Sequence, residues 1–276
     1  MLGGRNKGGE KLADILSLIE REKKLSSYEG EDRVVKSTDI KNILQSQKNP
    51  FSFRSKIPTL DDWIDGFEAG ELVIISGLTG QGKSTLCQTF SFNFFTQDIA
   101  SLWFSYELTY RQFLRKLSDE LFVYMPLVLK GKNIDWLRDR IQESKLKYGV
   151  RVVFIDHLHY LIDMAKIKNP SLEIGSIVRN LKLIAVELNM TIFLIAHSTK
   201  TMFAEEPELD SIRDSSLIPQ ESDIVLIIWR LMEENKKIFT EFNRVKVAKS
   251  RRTGVMGKSV KLNYRDKIYW EQANDK

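Results

Sequence analysis

Residues 77–84 have the sequence GLTGQGKS, which matches the pattern G-x-x-x-x-G-K-[ST] at every fixed position. The apolar, β-branched run ELVIIS at 71–76 precedes it, as expected of a buried parallel strand. A helix-forming run follows from about residue 83 to residue 95. A strand before the motif and a helix after it are the context of a phosphate-binding loop, so we predict such a loop here.

Each fixed residue of this loop has a chemical role. Its glycines let the backbone curl until the N–H groups point at phosphate oxygens, and the helix N-terminus adds its positive dipole end. We expect Lys83 to reach the β- and γ-phosphates of a nucleotide and the hydroxyl of Ser84 to ligate Mg²⁺. The candidate nucleotide-binding residues of the loop are Gly77, Gly80, Gly82, Lys83, Ser84 and Thr85.

Strand-like and helix-like runs alternate along the rest of the chain. Further strands are predicted at 101–105, 151–156, 191–196 and 223–229, and helices near 109–122, 134–147 and 172–188. This alternation indicates an α/β fold with a predominantly parallel sheet and helices on both faces. The tail at 242–271 has the pattern of a C-terminal β-hairpin extension, with its turn around Thr253–Gly257.

Polar residues follow the predicted strands at one edge of the sheet. Asp156 ends the run RVVFI, and an acid at this edge faces the phosphate crevice, so we expect it to hold Mg²⁺. Glu107 could orient the attacking water, although its position suits a solvated acid at a helix start almost equally. His197 could contact the γ-phosphate, with a structural loop histidine as the alternative. His157 and His159 suggest a metal site, but zinc needs three or four ligands and the sequence shows no further cluster.

Composition narrows the class of protein and its partners. The chain has 276 residues, enough for one large α/β domain and a short appendage. Its single cysteine, Cys87, excludes a disulfide framework and indicates a reducing compartment, so we expect a cytoplasmic protein. Neither a secretory signal nor an apolar run of about 18 residues is visible, so no membrane association is expected. A net charge of +5, with nine Lys or Arg residues between Arg244 and Lys267, fits a nucleic-acid partner.

The pattern along the chain divides it into three parts. These are an N-terminal arm with an amphipathic helix at 1–25, a polar linker at 26–56 and an ATPase domain at 57–276. The helix is predicted at 10–25 because apolar residues from Leu12 to Ile19 follow helical spacing. A helix this short cannot bury its apolar stripe alone. It either folds back on its own domain or docks on a neighbouring subunit.

The order of these motifs resembles that of the DnaB-like replicative helicases, which include the bacteriophage primase-helicases and the mitochondrial replicative helicase. The resemblance covers roughly residues 57–271. It rests on IPTLDDWIDGFEAGELVIISG, WFSYELT, VVFIDHLHYL, IGSIVRNLKLIAVELNMTIFLIAH, LDSIRDSSLIPQESDIVLIIWR and VAKSRRTGVMG. It implies a RecA-like P-loop ATPase core.

The resemblance also implies catalytic roles. Glu107 is expected to be the catalytic glutamate, and His197 is expected to sense the γ-phosphate. Arg251 is expected to act as an arginine finger on the nucleotide of the adjacent subunit, with Lys249 nearby. The next residue, Arg252, could be the finger instead.

The same resemblance implies how the nucleotide base and DNA are bound. Arg230 and Tyr264 match positions that sandwich the base. Arg213 is expected to contact the DNA backbone in a central channel, and Lys200 is a weaker candidate for the same role.

The expected function is that of a DNA helicase. The resemblance implies a homo-oligomer, a hexameric ring, that hydrolyses ATP or a dNTP with Mg²⁺ while it moves on single-stranded DNA. A primase, a helicase loader and a polymerase are the implied partners. Two alternatives stay open: a RecA/RadA-like recombinase that forms filaments on single strands, and a regulatory or loader ATPase that is indifferent to DNA.

Overall fold

A computed structural model describes residues 7–46, 51–131, 133–162, 169–197, 217–233 and 238–271. The chain divides into two compact units, Met1–Asn49 and Pro50–Lys276. Among the described residues, no helix combines the length and the apolar character that a membrane crossing requires.

The first unit consists of helices α1 (Lys7–Ser26) and α2 (Ser37–Ser46). Helix α1 covers the predicted helix at 10–25, and its apolar residues Ile15, Leu16 and Ile19 are exposed within this chain. The segment 26–56 was expected to be a linker, but it contains α2. Apolar residues three apart in α2 and an acid in its first turn favour this short helix. Docking of α1 on a neighbouring subunit stays a prediction.

The second unit contains ten strands and six α-helices within the described ranges. The strands are β1 (Ser52–Phe53), β2 (Phe67–Glu68), β3 (Leu72–Gly77), β4 (Ser101–Ser105), β5 (Val152–Asp156), β6 (Thr191–His197), β7 (Ile224–Glu233), β8 (Ile238–Ser250), β9 (Lys258–Arg265) and β10 (Ile268–Trp270). The helices are α3 (Pro58–Ile64), α4 (Lys83–Phe95), α5 (Tyr110–Lys116), α6 (Ile134–Tyr148), α7 (Pro170–Glu187) and α8 (Leu217–Glu221), with a 3₁₀ turn at Leu158–Leu161.

Eight of these strands form one sheet in the order β10-β9-β8-β7-β3-β6-β5-β4. The pairs among β7, β3, β6, β5 and β4 are parallel, and those from β7 to β10 are antiparallel. The predicted α/β fold with a predominantly parallel sheet is therefore confirmed. The C-terminal extension is larger than the predicted hairpin, because β10 adds a third antiparallel strand to the β8–β9 pair.

Helix α5 is shorter than the predicted helix at 109–122. It begins with a capping box between Thr109 and Gln112 and ends at Lys116. The chain then becomes extended beside β4, where the N–H of Trp103 donates to the carbonyl of Tyr124. Pairing with a sheet edge satisfies the same backbone groups that a helix would, so the tertiary context overrides the local helical pattern here.

Alternate residues of the parallel strands point to opposite faces of the sheet, and each face has its own core. On one face Val73 and Ile75 pack with the aromatic side chains of α4 and of the strands. On the other face Leu72 and Ile74 pack with the mainly aliphatic residues of α6 and α7. Helices cover both faces, so the strands are buried on both sides, as continuous apolar runs require.

We predict that Phe154→Ala destabilises the second unit by about 3–5 kcal/mol, as truncation of a buried aromatic residue does. The Phe154 ring is fully buried, with its centroid 4.5 Å from Trp103 and 4.8 Å from Phe193. Urea unfolding measures the loss. Leu146→Ala is the control, because Leu146 is 76% exposed and its loss should change stability by less than about 0.5 kcal/mol. Equal losses in the two variants would contradict this account of the core.

Candidate nucleotide-binding site

The loop between β3 and α4 has a backbone that only glycine suits. Gly80 and Gly82 have φ angles of 77° and 97°, in the left-handed region. A Cβ at Gly82 would also overlap the hydroxyl of Tyr269, whereas a Cβ at Gly80 meets nothing within 4 Å. Gly82 is the N-cap of α4, so the N–H groups of the first turn point towards the loop. This cradle fits an anionic phosphate group.

Lys83 lies inside this cradle. Its Nζ donates to the carbonyl oxygens of Gly77 and Leu78, both at 2.9 Å, and the side chain is only 6% exposed. Burial lowers the pKa of Lys83 to about 8, while the nearby carboxylates of Asp156 and Glu107 oppose that shift. The ammonium is therefore aimed at the space that the loop encloses, where a phosphate would stabilise its charge.

Ser84 and Asp156 meet across the site. The hydroxyl of Ser84 donates to Oδ2 of Asp156 at 2.8 Å. Asp156 is fully buried, and its Oδ1 has no hydrogen-bond partner in the described part of the chain. Burial raises the pKa of Asp156 to about 6, and the charge of Glu107 adds to that shift. A buried carboxylate with an unsatisfied oxygen beside a hydroxyl fits Mg²⁺, which prefers oxygen ligands.

Glu107 and His197 lie at the same edge. Glu107 is exposed and lies two residues after Ser105, which pairs with Asp156, and its charge acts on the pKa values of both Lys83 and Asp156. His197 pairs in register with Gly77, the first residue of the loop. The structure thus brings these two predicted residues to the phosphate site.

The three histidines form a cluster beside β6. The ring centroid of His157 lies 4.1 Å from that of His197 and 4.9 Å from that of His159. Burial, followed by the neighbouring histidines, lowers the pKa of His157 to about 3, which keeps this ring neutral at pH 7. Within the described ranges, no group of three or more His, Cys, Asp or Glu side chains has an arrangement that could hold a metal ion.

A cavity of about 270 Å³ continues from the loop towards the antiparallel strands. It brings Thr85 together with Arg230 and Tyr264, the predicted base-binding pair. The residues that line it are Gly80, Gln81, Gly82, Thr85, Arg230, Glu241, Asn243, Tyr264 and Tyr269. A larger cavity of about 460 Å³ lies between residues 124–130 and α6, and none of the predicted site residues lines it. Chemistry rather than cavity size therefore locates the candidate site.

Two residues that the sequence did not single out fix the loop in place. The N–H of Arg230 donates to Oε1 of Gln81 at 2.6 Å. Nδ2 of Asn243 donates to the carbonyl of Gln81 at 2.8 Å. Both Gln81 and Asn243 are buried. Gln81 occupies a variable position of the motif and Asn243 lies 162 positions away, so local pattern carried no signal for either contact.

A profile of the family described as DnaB-like helicase C terminal domain matches residues 122–270, which is more than half of the chain. The chain belongs to this family. The replicative DNA helicase DnaB of Helicobacter pylori strain J99 is 27% identical over 266 residues, which cover 80% of this chain and 54% of the relative. DnaB of Leifsonia xyli subsp. xyli is 24% identical over 225 residues, covering 68% and 49% respectively. The chain therefore spans about half the length of the curated relatives it matches.

Solved structures show the same fold. The ATPase domain of a phage helicase superposes with a TM-score of 0.72 at 18% identity, covering 86% of this chain and 96% of that domain. A DnaB-like replicative helicase described with its primase interactions superposes with a TM-score of 0.70 at 18% identity. That match covers 93% of this chain and 70% of the helicase.

The predicted finger residues of this DnaB-like chain lie at the opposite edge of the sheet. Ser250 pairs with Ile224, and Ile224 pairs with Val73, four residues before Gly77. At about 3.3 Å per residue, Ser250 therefore lies about 13 Å from the level of Gly77, measured along the strands. Arg251 follows Ser250 directly, so it stands at the edge away from the phosphate loop of its own chain.

The contacts of the two neighbouring arginines differ. Arg252 is 26% exposed and pairs with Asp65, Glu68 and Glu71. Arg251 is 49% exposed and pairs with Asp223 at 3.1 Å. Arg252 thus pairs with three carboxylates of its own chain, whereas the more exposed Arg251 pairs with one. The predicted DNA-contact residues Lys200 and Arg213 lie outside the described residues.

We predict that Gly82→Ala lowers nucleotide affinity roughly a hundredfold, because the clash with Tyr269 adds to backbone strain. Gly80→Ala causes backbone strain without a clash, so it should weaken binding about tenfold or less. Titration with a fluorescent ATP analogue measures both. Adding Tyr269→Phe to Gly82→Ala removes the clashing oxygen and should restore part of the affinity. Equal affinities for the two alanine variants would show that the Tyr269 contact does not shape the loop.

Proposed function

We propose that this chain is the motor part of an ATP-driven replicative DNA helicase that works as a hexameric ring on single-stranded DNA. One observation carries the proposal. The phosphate loop with Ser84 and Asp156 occupies one edge of the sheet, and Arg251 occupies the other. Since Arg251 cannot serve the phosphates of its own loop, a complete site requires a second copy of the chain.

The phosphate edge supplies most of the groups that hydrolysis needs. The loop N–H groups and Lys83 bind the β- and γ-phosphates of ATP. Ser84 and Asp156 would hold Mg²⁺, which would supply positive charge against the negative charge of the triphosphate. Glu107 is exposed beside them, where its carboxylate can orient water for attack on the γ-phosphorus and accept its proton. As the water oxygen bonds to the γ-phosphorus, the bond from that phosphorus to the β–γ bridging oxygen breaks, which gives inorganic phosphate and ADP. The loop still holds the β-phosphate of ADP after this step.

Arg251 of a neighbouring copy would complete the site. A guanidinium that approaches the γ-phosphate stabilises charge in the transition state, and such a finger is worth about 10³–10⁵ in rate. Lys249 lies next to Arg251 and adds a second cation. Hydrolysis then depends on how two subunits contact each other, so each turnover can move one subunit relative to the next.

His197 would link the nucleotide to DNA. It pairs with Gly77 and ends β6, and the chain continues from it into the segment that contains Lys200 and Arg213. A side chain that contacts the γ-phosphate responds when that group is lost. Contacts from Lys and Arg to the DNA backbone are independent of sequence, as a translocating motor requires.

The antiparallel strands would bind the base. Arg230 and Tyr264 line the cavity beside Thr85, and we propose that they sandwich the base of ATP or of a dNTP. Stacking on a guanidinium and an aromatic ring tolerates different bases. A primase, a loader and a polymerase are the proposed partners, and the cytoplasm is the proposed location.

The test is ATP hydrolysis with and without single-stranded DNA. We predict that DNA raises turnover of the unaltered protein, that Lys83→Ala abolishes it, and that Arg251→Ala lowers it at least about a thousandfold without loss of nucleotide binding. Arg138→Ala, which removes a half-buried arginine of α6 that pairs with Glu187, is the matched control and should leave turnover unchanged.

Turnover that ignores DNA would contradict the helicase proposal and favour a regulatory ATPase. Helical filaments in micrographs, in place of closed rings, would favour a recombinase. Loss of nucleotide binding in Arg251→Ala would show that this residue acts within its own subunit.

A further inference from the structure

Asp223 lies between α8 and β7 and receives three hydrogen bonds, although it is only 8% exposed. Its Oδ2 accepts from the N–H of Leu72 at 2.8 Å and from Nζ of Lys182 at 2.6 Å. Its Oδ1 accepts from Nη1 of Arg251 at 3.1 Å. Three donors hold the buried carboxylate of Asp223 in one position, so it can fix the direction of a side chain that is hydrogen-bonded to it.

Arg251 is held by hydrogen bonds from both its backbone and its guanidinium group. Its backbone N–H donates to the carbonyl of Asp223 at 2.8 Å. Its Nη2 donates to the carbonyl of Gln220 at 2.8 Å. A guanidinium has five N–H groups, and the contacts to Asp223 and Gln220 use two of them. The side chain is 49% exposed, so the remaining N–H groups can meet an acceptor on another molecule.

Lys249 is held on the same support. Its Nζ donates to the carbonyl oxygens of Pro219 and, at 2.7 Å, of Ser222. Burial, and next the charge of Arg251, lower the pKa of Lys249. The two cations therefore stand side by side on residues 219–223, although like charges repel. Asp223 supplies the negative charge that makes this arrangement stable.

We propose that Asp223 is the positioning residue for Arg251 and presents its guanidinium, already oriented, to the triphosphate of a neighbouring copy. This inference rests on the proposed function, since it assumes that Arg251 acts between subunits. In this role Asp223 acts on the nucleotide only through Arg251. A preset donor loses little freedom when it meets a phosphate, and misplacement by about 1 Å can cost about a hundredfold in rate.

The experiment uses mixed oligomers, because a finger defect can be repaired by another subunit and a fold defect cannot. Asp223→Asn should lower DNA-stimulated turnover about a hundredfold while its affinity for a fluorescent ATP analogue is unchanged. Mixing it with Lys83→Ala, which is inactive but has an intact finger, should raise turnover at least about tenfold above either variant alone. Mixing it with Arg251→Ala should restore nothing, because both variants lack a working finger.

Two further variants keep the result decisive. Asp223→Asn combined with Lys182→Met leaves no partly buried lysine without its carboxylate partner, so it separates lost positioning from lost stability. It should behave as Asp223→Asn does in each mixture. Asp65→Asn is the matched control, because Asp65 pairs with Arg252 rather than Arg251, and it should leave turnover unchanged.

A reference mixture of Lys83→Ala with Arg251→Ala distinguishes failure of the positioning role from failure of the proposed function. If the reference recovers activity and both Asp223 variants fail to recover with Lys83→Ala, the positioning role is overturned and the proposed function stands. Normal turnover in Asp223→Asn would overturn it as well. If the reference mixture fails to recover, active sites are not shared between copies, and the proposed function fails together with the inference.

Discussion

The parallel register of β7, β3, β6, β5 and β4 is the constraint on which the chemistry of this chain depends. Strands that run in one direction end at one edge, so Gly77 comes beside His197 and Ser105 beside Asp156. The two faces carry different cores, one rich in aromatic and the other in aliphatic residues, and a slip of one residue would exchange their side chains, so packing holds this register. Asp156 can be fully buried at this edge because Ser84 donates to one of its oxygens, which lessens the cost of burying the carboxylate.

The reversal of direction at β8 has the opposite consequence. An antiparallel neighbour of β7 must end where β7 begins, and that carries Arg251 to the far edge of the sheet. Under the proposed function, both edges carry catalytic groups, so a single copy of the chain holds only part of each active site. The same strand also reaches the phosphate side, where Asn243 holds the loop through Gln81. Strand β8 therefore contacts the phosphate loop of its own chain at one end and leads into Arg251, the proposed finger, at the other.

Sequence predicted the features that depend on local pattern. The loop at 77–84 and Asp156 follow from residue type and spacing, and the structure brings them together with Glu107 and His197. The resemblance supplied Arg230, Tyr264 and Arg251, which no spacing rule would have found. Their proposed roles rest on where the structure places them.

Contacts between distant segments could not be predicted. Asp223 looked like the start of a strand, and its bonds to Leu72 and Arg251 join residues 151 and 28 positions away. Helix α5 was predicted too long, because pairing of Tyr124 with β4 depends on tertiary contact. The different contacts of the two adjacent arginines also depend on distant residues. Asp65, Glu68 and Glu71 form ion pairs with Arg252 and not with Arg251.

The most direct measurement is an electron cryo-microscopy structure of the protein with Mg²⁺ and a non-hydrolysable ATP analogue. The account predicts a closed ring in which the γ-phosphate contacts Lys83 of one copy and Arg251 of the next. Ser84 and Asp156 should lie at the Mg²⁺. A γ-phosphate contacted only by residues of its own chain, with Arg251 remote from every nucleotide, would contradict it.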